Sequence, residues 1–170
     1  TCAWSNLSDF DLAEGTRHVE RALELDPNEP EANRIMGSIK MGFGDFEASR
    51  HYHEKAMALS PSDAYIKGRS AAFYIFAGEP QRGLELLDEA EALDPFLPVW
   101  CIEERGVALY ALDRHEEALK VLTALVFQTA RSRLCQAAAL VALDRLDEAC
   151  RLVKEALAGN AGLTVSGVLV

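Results

Sequence analysis

Apolar and small residues recur along this chain in a single frame, separated by polar stretches that close on proline. Leu25-Asp26-Pro27, Leu59-Ser60-Pro61 and Leu93-Asp94-Pro95 set three prolines 34 residues apart (61 − 27 and 95 − 61). Five positions before each proline stands Ala22, Ala56 or Ala90; twelve before stands Gly15, Ser49 or Gly83; twenty-four before stands Gly37 or Ala71. Strand-like runs of Val, Ile and Thr are missing, so the repeating unit is helical. Two helices approach to about 8 Å only where side chains are this small, so the small residues mark helix crossings. Each proline lacks the amide that a helix needs and stops the second helix of its unit.

Toward the C-terminus the frame shifts. Gly106 and Ala118, then Ala137, Ala149 and Ala156, reproduce the small positions, but Ala118 and Ala149 stand only 31 apart (149 − 118). No proline ends this fourth unit, whose exit is irregular around residues 126–130. The pattern predicts helices over 9–25, 30–43, 46–59, 63–77, 80–93, 98–112, 115–127, 131–143 and 146–158. Pro30, Pro80 and Pro98 suit first helical turns, Asp45, Ser62 and Asp63 suit N-caps, and Gly44 and Gly78 suit the tight turns inside pairs. The expected organisation is a single domain, 1–170, made of a partial first repeat (1–29), repeats at 30–63 and 64–97, an irregular fourth (98–129), a fifth (130–159) and an apolar tail (160–170).

Helices of about four turns or fewer are marginal alone in water. Stacking between neighbours must therefore supply the stability. The first repeat keeps little or none of its first helix, leaving Trp4 and Leu7 to cover the edge, and Leu163 to Val170 is apolar enough to require a surface to pack on.

With three prolines and their small residues agreeing in one frame, residues 9–158 resemble the tetratricopeptide repeat (TPR) family. The resemblance implies an all-α, right-handed superhelical solenoid of about four to five stacked antiparallel helix pairs, acting as a scaffold for another polypeptide. Members of the family grip peptides on the concave face of their first helices. Those positions correspond here to Glu31, Arg34, Ser38 and Met41; to Tyr65, Ala72, Ile75 and Phe76; to Trp100, Glu103, Val107 and Tyr110; and to Arg131, Leu134, Ala138 and Val141. The implied groove is aromatic and apolar at its centre with few charges, which suits a hydrophobic or amphipathic segment. Tyr65, Phe76 and Tyr110 suit packing between repeats equally well. Where a carboxylate-clamping subset of the family carries Lys, Arg and Asn, this chain has Gly68, Ala72, Glu103 and Val107, which argues against that ligand. The stretch from Leu97 to Tyr110, and Arg131-Ser132-Arg133-Leu134 ahead of an Ala-rich helix, are similar to the C-terminal repeats of bacterial multidomain regulators such as class III adenylate cyclases and certain transcriptional activators. With Thr1 as its first residue, the chain is expected to be a piece of such a protein, regulating or positioning a catalytic or DNA-binding domain outside it.

Composition narrows the partners. Seventeen Lys and Arg against 27 Asp and Glu give a formal charge of −10, which repels phosphate backbones and anionic lipid, so neither nucleic acid nor membrane is an expected partner. The apolar stretch from Ala71 to Ala77 falls far short of the roughly 20 residues that span a bilayer, and no basic segment followed by an apolar one opens the chain. Cys2, Cys101, Cys135 and Cys150 show no CxxC spacing and no His placed for zinc, and are expected as free thiols in a reducing, cytoplasmic compartment. Arg151 beside Cys150 is a weak pointer to a redox sensor instead.

Catalytic and metal chemistry finds little support. His51 and His53 are two apart, which on a helix points them roughly 200° apart, and His18 and His115 are isolated. Glu103-Glu104 and Glu116-Glu117 are neighbours that do not face one another on a helix and are expected on solvated faces. GxxxxGK[ST], GxSxG and HExxH are absent. No cofactor, no metal and no enzymatic activity are expected. Three readings stay open: a protein-interaction module, a sensory domain holding a small molecule in its concavity, and an oligomerisation element pairing two chains through the tail and an end repeat.

Overall fold

The computed structural model describes residues 9–158, and Trp4, Leu7 and the stretch Leu163 to Val170 lie outside them. The described residues form nine helices and no strand: α1 (Asp9–Leu25), α2 (Pro30–Gly42), α3 (Phe46–Leu59), α4 (Ala64–Phe76), α5 (Pro80–Leu93), α6 (Val99–Ala111), α7 (His115–Thr123), α8 (Ala130–Ala142) and α9 (Leu146–Ala158). Two compact units meet in sequence at Leu97 and Pro98. The first holds α1 and the pairs α2/α3 and α4/α5; the second holds the pairs α6/α7 and α8/α9.

One turn geometry joins the two helices of every pair. The amides of Asp45, Glu79, Arg114 and Arg145 donate back to the carbonyls of Lys40, Tyr74, Leu109 and Leu140 at 2.8–2.9 Å. Such a closure requires a left-handed residue just before the donor. Gly44 (φ 77°) and Gly78 (φ 86°) supply it in the first unit; Asp113 (φ 58°) and Asp144 (φ 60°) supply it in the second. Asp tolerates this region better than most side chains because it hydrogen-bonds locally.

Helix starts are fixed by side-chain oxygens. Asp45 accepts from the Ala48 amide at 3.1 Å, Asp63 from Ile66 at 3.0 Å and Thr129 from Ser132 at 3.0 Å, while Glu29 caps α2 through the Ala32 amide. Ser62 does not cap, and Pro98 occupies the N-cap position itself rather than the first turn. The main departure from the sequence pattern is α7, which stops at Thr123 instead of running to 127. Gln128 causes the stop by donating its amide to the carbonyls of Leu122 and Leu125, both at 3.1 Å, and Gln136 donates to Gln128 and to Leu122. A side-chain amide thus closes this helix end, where a proline follows α1, α3 and α5. Leu125 is buried, while Val126 (87% exposed) and Phe127 (75% exposed) project from the turn.

The core sits at the predicted crossings. A methyl on Gly37 would lie 2.8 Å from the His53 ring, one on Gly106 2.5 Å from Leu122, and one on Gly83 2.4 Å from Ile75 and 3.1 Å from the Ala71 carbonyl. Ser49 adds a hydrogen bond from its hydroxyl to the Gly37 carbonyl at 2.8 Å. Around these contacts Ala56, Phe73, Leu87, Ala90, Ala118, Leu122 and Ala139 lose all contact with water. Gly15 departs from the pattern, since no described atom lies within 4 Å of where its methyl would be.

His53 is the one imidazole enclosed by this core among the described residues. Its ring is fully buried and stacks on Phe73 of α4, centroids 5.1 Å apart. Nδ1 lies 3.1 Å from the Ser70 hydroxyl, and Nε2 finds no partner among the described residues. Burial first, and the Arg34 charge second, push its pKa from 6.5 down to about 3. The ring is therefore neutral in the folded chain.

This packing has two measurable consequences. Gly83→Ala is expected to cost about 1–3 kcal/mol, because the methyl meets backbone and a buried Ile75 side chain, whereas Gly15→Ala is expected to gain about 0.5–1 kcal/mol from helix propensity alone. Urea unfolding of the two variants measures both, and equal effects would refute the packing assigned to Gly83. For His53, the unfolded chain binds the proton from pH 6.5 downward and the folded chain only near 3. The His53 contribution is thus complete above about pH 6.5 and shrinks as pH falls toward 3, by several kcal/mol at most. His53→Leu should be less stable than wild type at pH 7 yet lose less stability between pH 6.5 and 4; parallel pH profiles would disprove the assignment.

Candidate functional site

Within the first unit, α2 and α4 pack side by side. Tyr65, Arg69, Ala72 and Phe76 stand at i, i+4, i+7 and i+11 of α4 and so share one face. Tyr65 (42% exposed) and Phe76 are its open apolar members. The Arg34 guanidinium of α2 and the Arg69 guanidinium each lie 5.4 Å from the Tyr65 ring centroid, and Arg69 Nε donates to the Tyr65 hydroxyl at 3.3 Å. Cations over a ring face are attracted by its quadrupole, so the tyrosine is held in place while part of it stays exposed. Arg34 is itself buried and oriented by Glu31, to whose two carboxylate oxygens it donates at 2.7 and 2.5 Å. Ser38 and Met41 are half-buried beside it, with the Ser38 hydroxyl donating to the Arg34 carbonyl at 3.3 Å.

Ile75 does not join this face. It is buried, with Cγ1 filling the space over Gly83 of α5. Glycine at 83 brings α5 so close that the side chain at 75 becomes part of the helix crossing. Arg69 is the residue that sequence reasoning passed over, although its spacing of four from Tyr65 puts it on the same helix face.

In the second unit the corresponding helices are α6 and α8. The expectation of solvated carboxylates fails here: Glu103 and Glu104 are 6% and 7% exposed. Both Arg131 amino groups donate to Glu104, each at 2.9 Å, and Arg131 Nη1 lies 3.7 Å from Glu103. Glu103 also accepts from the Thr129 hydroxyl. Burial works against the charge on Arg131, but the Glu104 carboxylate outweighs it and the guanidinium pKa is raised. The centre of this face is an ion network, not the apolar floor that the family resemblance implies. Around it Trp100, Val107, Leu134 and Ala138 are half-buried, Val141 is exposed, and Tyr110 is exposed with its ring 5.1 Å from that of His115.

Other chemistry remains sparse. No three His, Cys, Asp or Glu side chains among the described residues converge to hold a metal ion. Cys101 is buried, Cys135 half-buried and Cys150 exposed, all as free thiols. Burial pushes the Cys135 thiol pKa up, with Arg131 opposing it only in part, so the thiolate is suppressed. No described helix is long and apolar enough to cross a membrane.

No protein-family model matches the chain, and no curated protein matches its sequence. Solved structures do resemble it. PilW, a widely conserved type IV pilus biogenesis factor, aligns with a TM-score of 0.82 at 19% identity, covering 94% of this chain and 74% of PilW. TTC0263, a thermophilic TPR protein of Thermus thermophilus, aligns with a TM-score of 0.76 at 20% identity over 94% of this chain and 92% of the other. YrrB, described as a TPR protein with an unusual peptide-binding site, gives 0.65 at 17% identity over 94% and 82%. These likenesses establish the fold: all-α, built from helix pairs of the tetratricopeptide type, as the 34-residue frame predicts.

Proposed function

We propose that the chain is a non-enzymatic interaction scaffold that holds a peptide or helical segment of a protein partner on the first helices of its repeats. The observation that carries this reading is the Arg34–Tyr65–Arg69 cluster, in which guanidinium groups from two neighbouring helices each lie 5.4 Å from the centroid of one exposed ring. Preorganised aromatic and arginine side chains are the residues that dominate binding energy at protein interfaces. With Phe76 three turns along the same helix face, the first unit offers two anchors at a spacing that an amphipathic helix or extended peptide can match. That YrrB is a TPR protein with an unusual peptide-binding site is in keeping with this reading.

The Glu103, Glu104 and Arg131 network is better suited to holding α6 and α8 together than to receiving a ligand, since its polar atoms are already engaged by one another and by Thr129. The regulatory setting suggested by the resemblance to multidomain bacterial regulators remains part of the proposal: a partner segment from the same parent protein would serve as well as one from another chain. Free cysteines and a net charge of −10 accord with a reducing, cytoplasmic setting and with partners other than nucleic acid or anionic lipid.

Peptides selected from a displayed library against the intact chain provide the binding test. Tyr65→Ala and Phe76→Ala should each weaken a selected peptide by about 2 kcal/mol, roughly thirtyfold, with little change in Tm. Peptides that bind both variants as tightly as wild type would place the site elsewhere. Arg131→Met should act differently, lowering stability by roughly 2–4 kcal/mol because two buried carboxylates lose their counter-charge, less than for a dry pair since Arg131 keeps some contact with water. Weaker peptide binding by Arg131→Met at unchanged stability would reverse that assignment.

A further inference from the structure

Within each unit, one flank of an earlier second helix, α3 in the first and α7 in the second, receives the pair that follows. The residue just after the small crossing position marks that flank. After Ser49 comes Arg50, whose guanidinium lies 5.4 and 5.2 Å from the Phe73 and Tyr74 rings of α4. After Ala118 comes Leu119, which packs on the Ala137, Leu140 and Ala149 cluster of α8 and α9. After Ala149 comes Cys150, and no described helix follows α9 to cover it.

The flank around Cys150 is apolar. Leu146, Cys150 and Leu157 stand at i, i+4 and i+11 and share one side of α9, next to the Leu152 and Val153 side chains that pack inward. Leu146 is 54% exposed, Leu157 is 41% exposed, and Cys150 is also exposed. Three apolar groups open to water at the position where both preceding examples are covered call for an occupant.

We propose that this flank of α9 is the docking site for residues 163–170 of the same chain. Leu163, Val165, Val168, Leu169 and Val170 are five large aliphatic side chains in eight residues that carry no charge. Between them and α9 the sequence reads Gly159-Asn160-Ala161-Gly162, residue types compatible with a change of chain direction. Reach is sufficient: eight extended residues cover about 26 Å, and a 13-residue helix is about 20 Å long. A tethered segment meets the flank at an effective concentration of roughly millimolar. A second copy of the chain brings a charge of −10 against −10, which opposes association.

The rate of Cys150 alkylation by N-ethylmaleimide, followed by peptide mass spectrometry, tests the proposal. In the full chain Cys150 should react at least about tenfold more slowly than in the urea-unfolded chain, as for a segment that opens in about one molecule in ten, and at a rate independent of protein concentration. Leu163→Asp/Val168→Asp, and a chain shortened after Ala158, should release Cys150 to near the unfolded rate while the half-buried Cys135 keeps its wild-type rate, which reports that α8 and α9 remain folded. Unprotected Cys150 in the wild-type chain would overturn the proposal whatever the variants do. Protection that grows with protein concentration would assign the flank to a second copy, and protection that survives both variants would also overturn it.

Discussion

Within each pair the second helix lies against the first at a point where one of the two has almost no side chain to hold them apart. Gly37 under His53, Gly83 under Ile75 and Gly106 under Leu122 leave gaps of less than 3 Å for any added methyl. Those distances explain why these glycines persist inside helices, where each gives up about 1 kcal/mol of helix propensity relative to alanine. The loss is offset by dispersion and burial along the whole crossing, which ends with Phe73, Leu86 and Leu87 nearly free of water. Gly15 shows the converse: it occupies the same place in the frame, but nothing described lies opposite it.

Close crossing dictates what happens at the helix ends. Helices of 9–17 residues cannot hold themselves together in water, so the chain must reverse within a few residues and place the partner helix at once. A left-handed residue before the start of each second helix does so in all four pairs, as glycine twice and as aspartate twice. Between pairs the solutions diverge. Pro27, Pro61 and Pro95 end α1, α3 and α5 by denying an amide, whereas α7 is ended by the Gln128 and Gln136 amides. That substitution costs the regular spacing and forces Val126 and Phe127 outward.

The faces of the first helices differ between the units for electrostatic reasons. In the first unit the buried Arg34 is neutralised locally by Glu31, which leaves the Tyr65 ring as a site of cation contact rather than as core. In the second, Glu103 and Glu104 leave water together, and the Arg131 guanidinium meets both. Buried charge of this kind is kept in place by its partners far more than by packing, so Arg131 and Thr129 are tied to α6 as firmly as the apolar residues around them.

The repeat frame by itself determined the fold class, eight of the nine helices to within one or two residues, the crossing points other than Gly15, and the two glycine turns. These are consequences of spacing and of single-residue chemistry, which a sequence displays directly: a proline has no amide and a glycine has no side chain wherever they stand. It also placed Tyr65 and Phe76 on one face of α4, because helical periodicity is local. What it did not determine depends on which groups meet across helices. The burial of Ile75 follows from how near α5 comes to α4, the stop of α7 from an amide reaching back over six residues, and the burial of Glu103 and Glu104 from Arg131 lying 27 residues beyond Glu104 on another helix. A carboxylate alone in a helix belongs in water; only the tertiary structure, by bringing a guanidinium within 3 Å, reverses that preference.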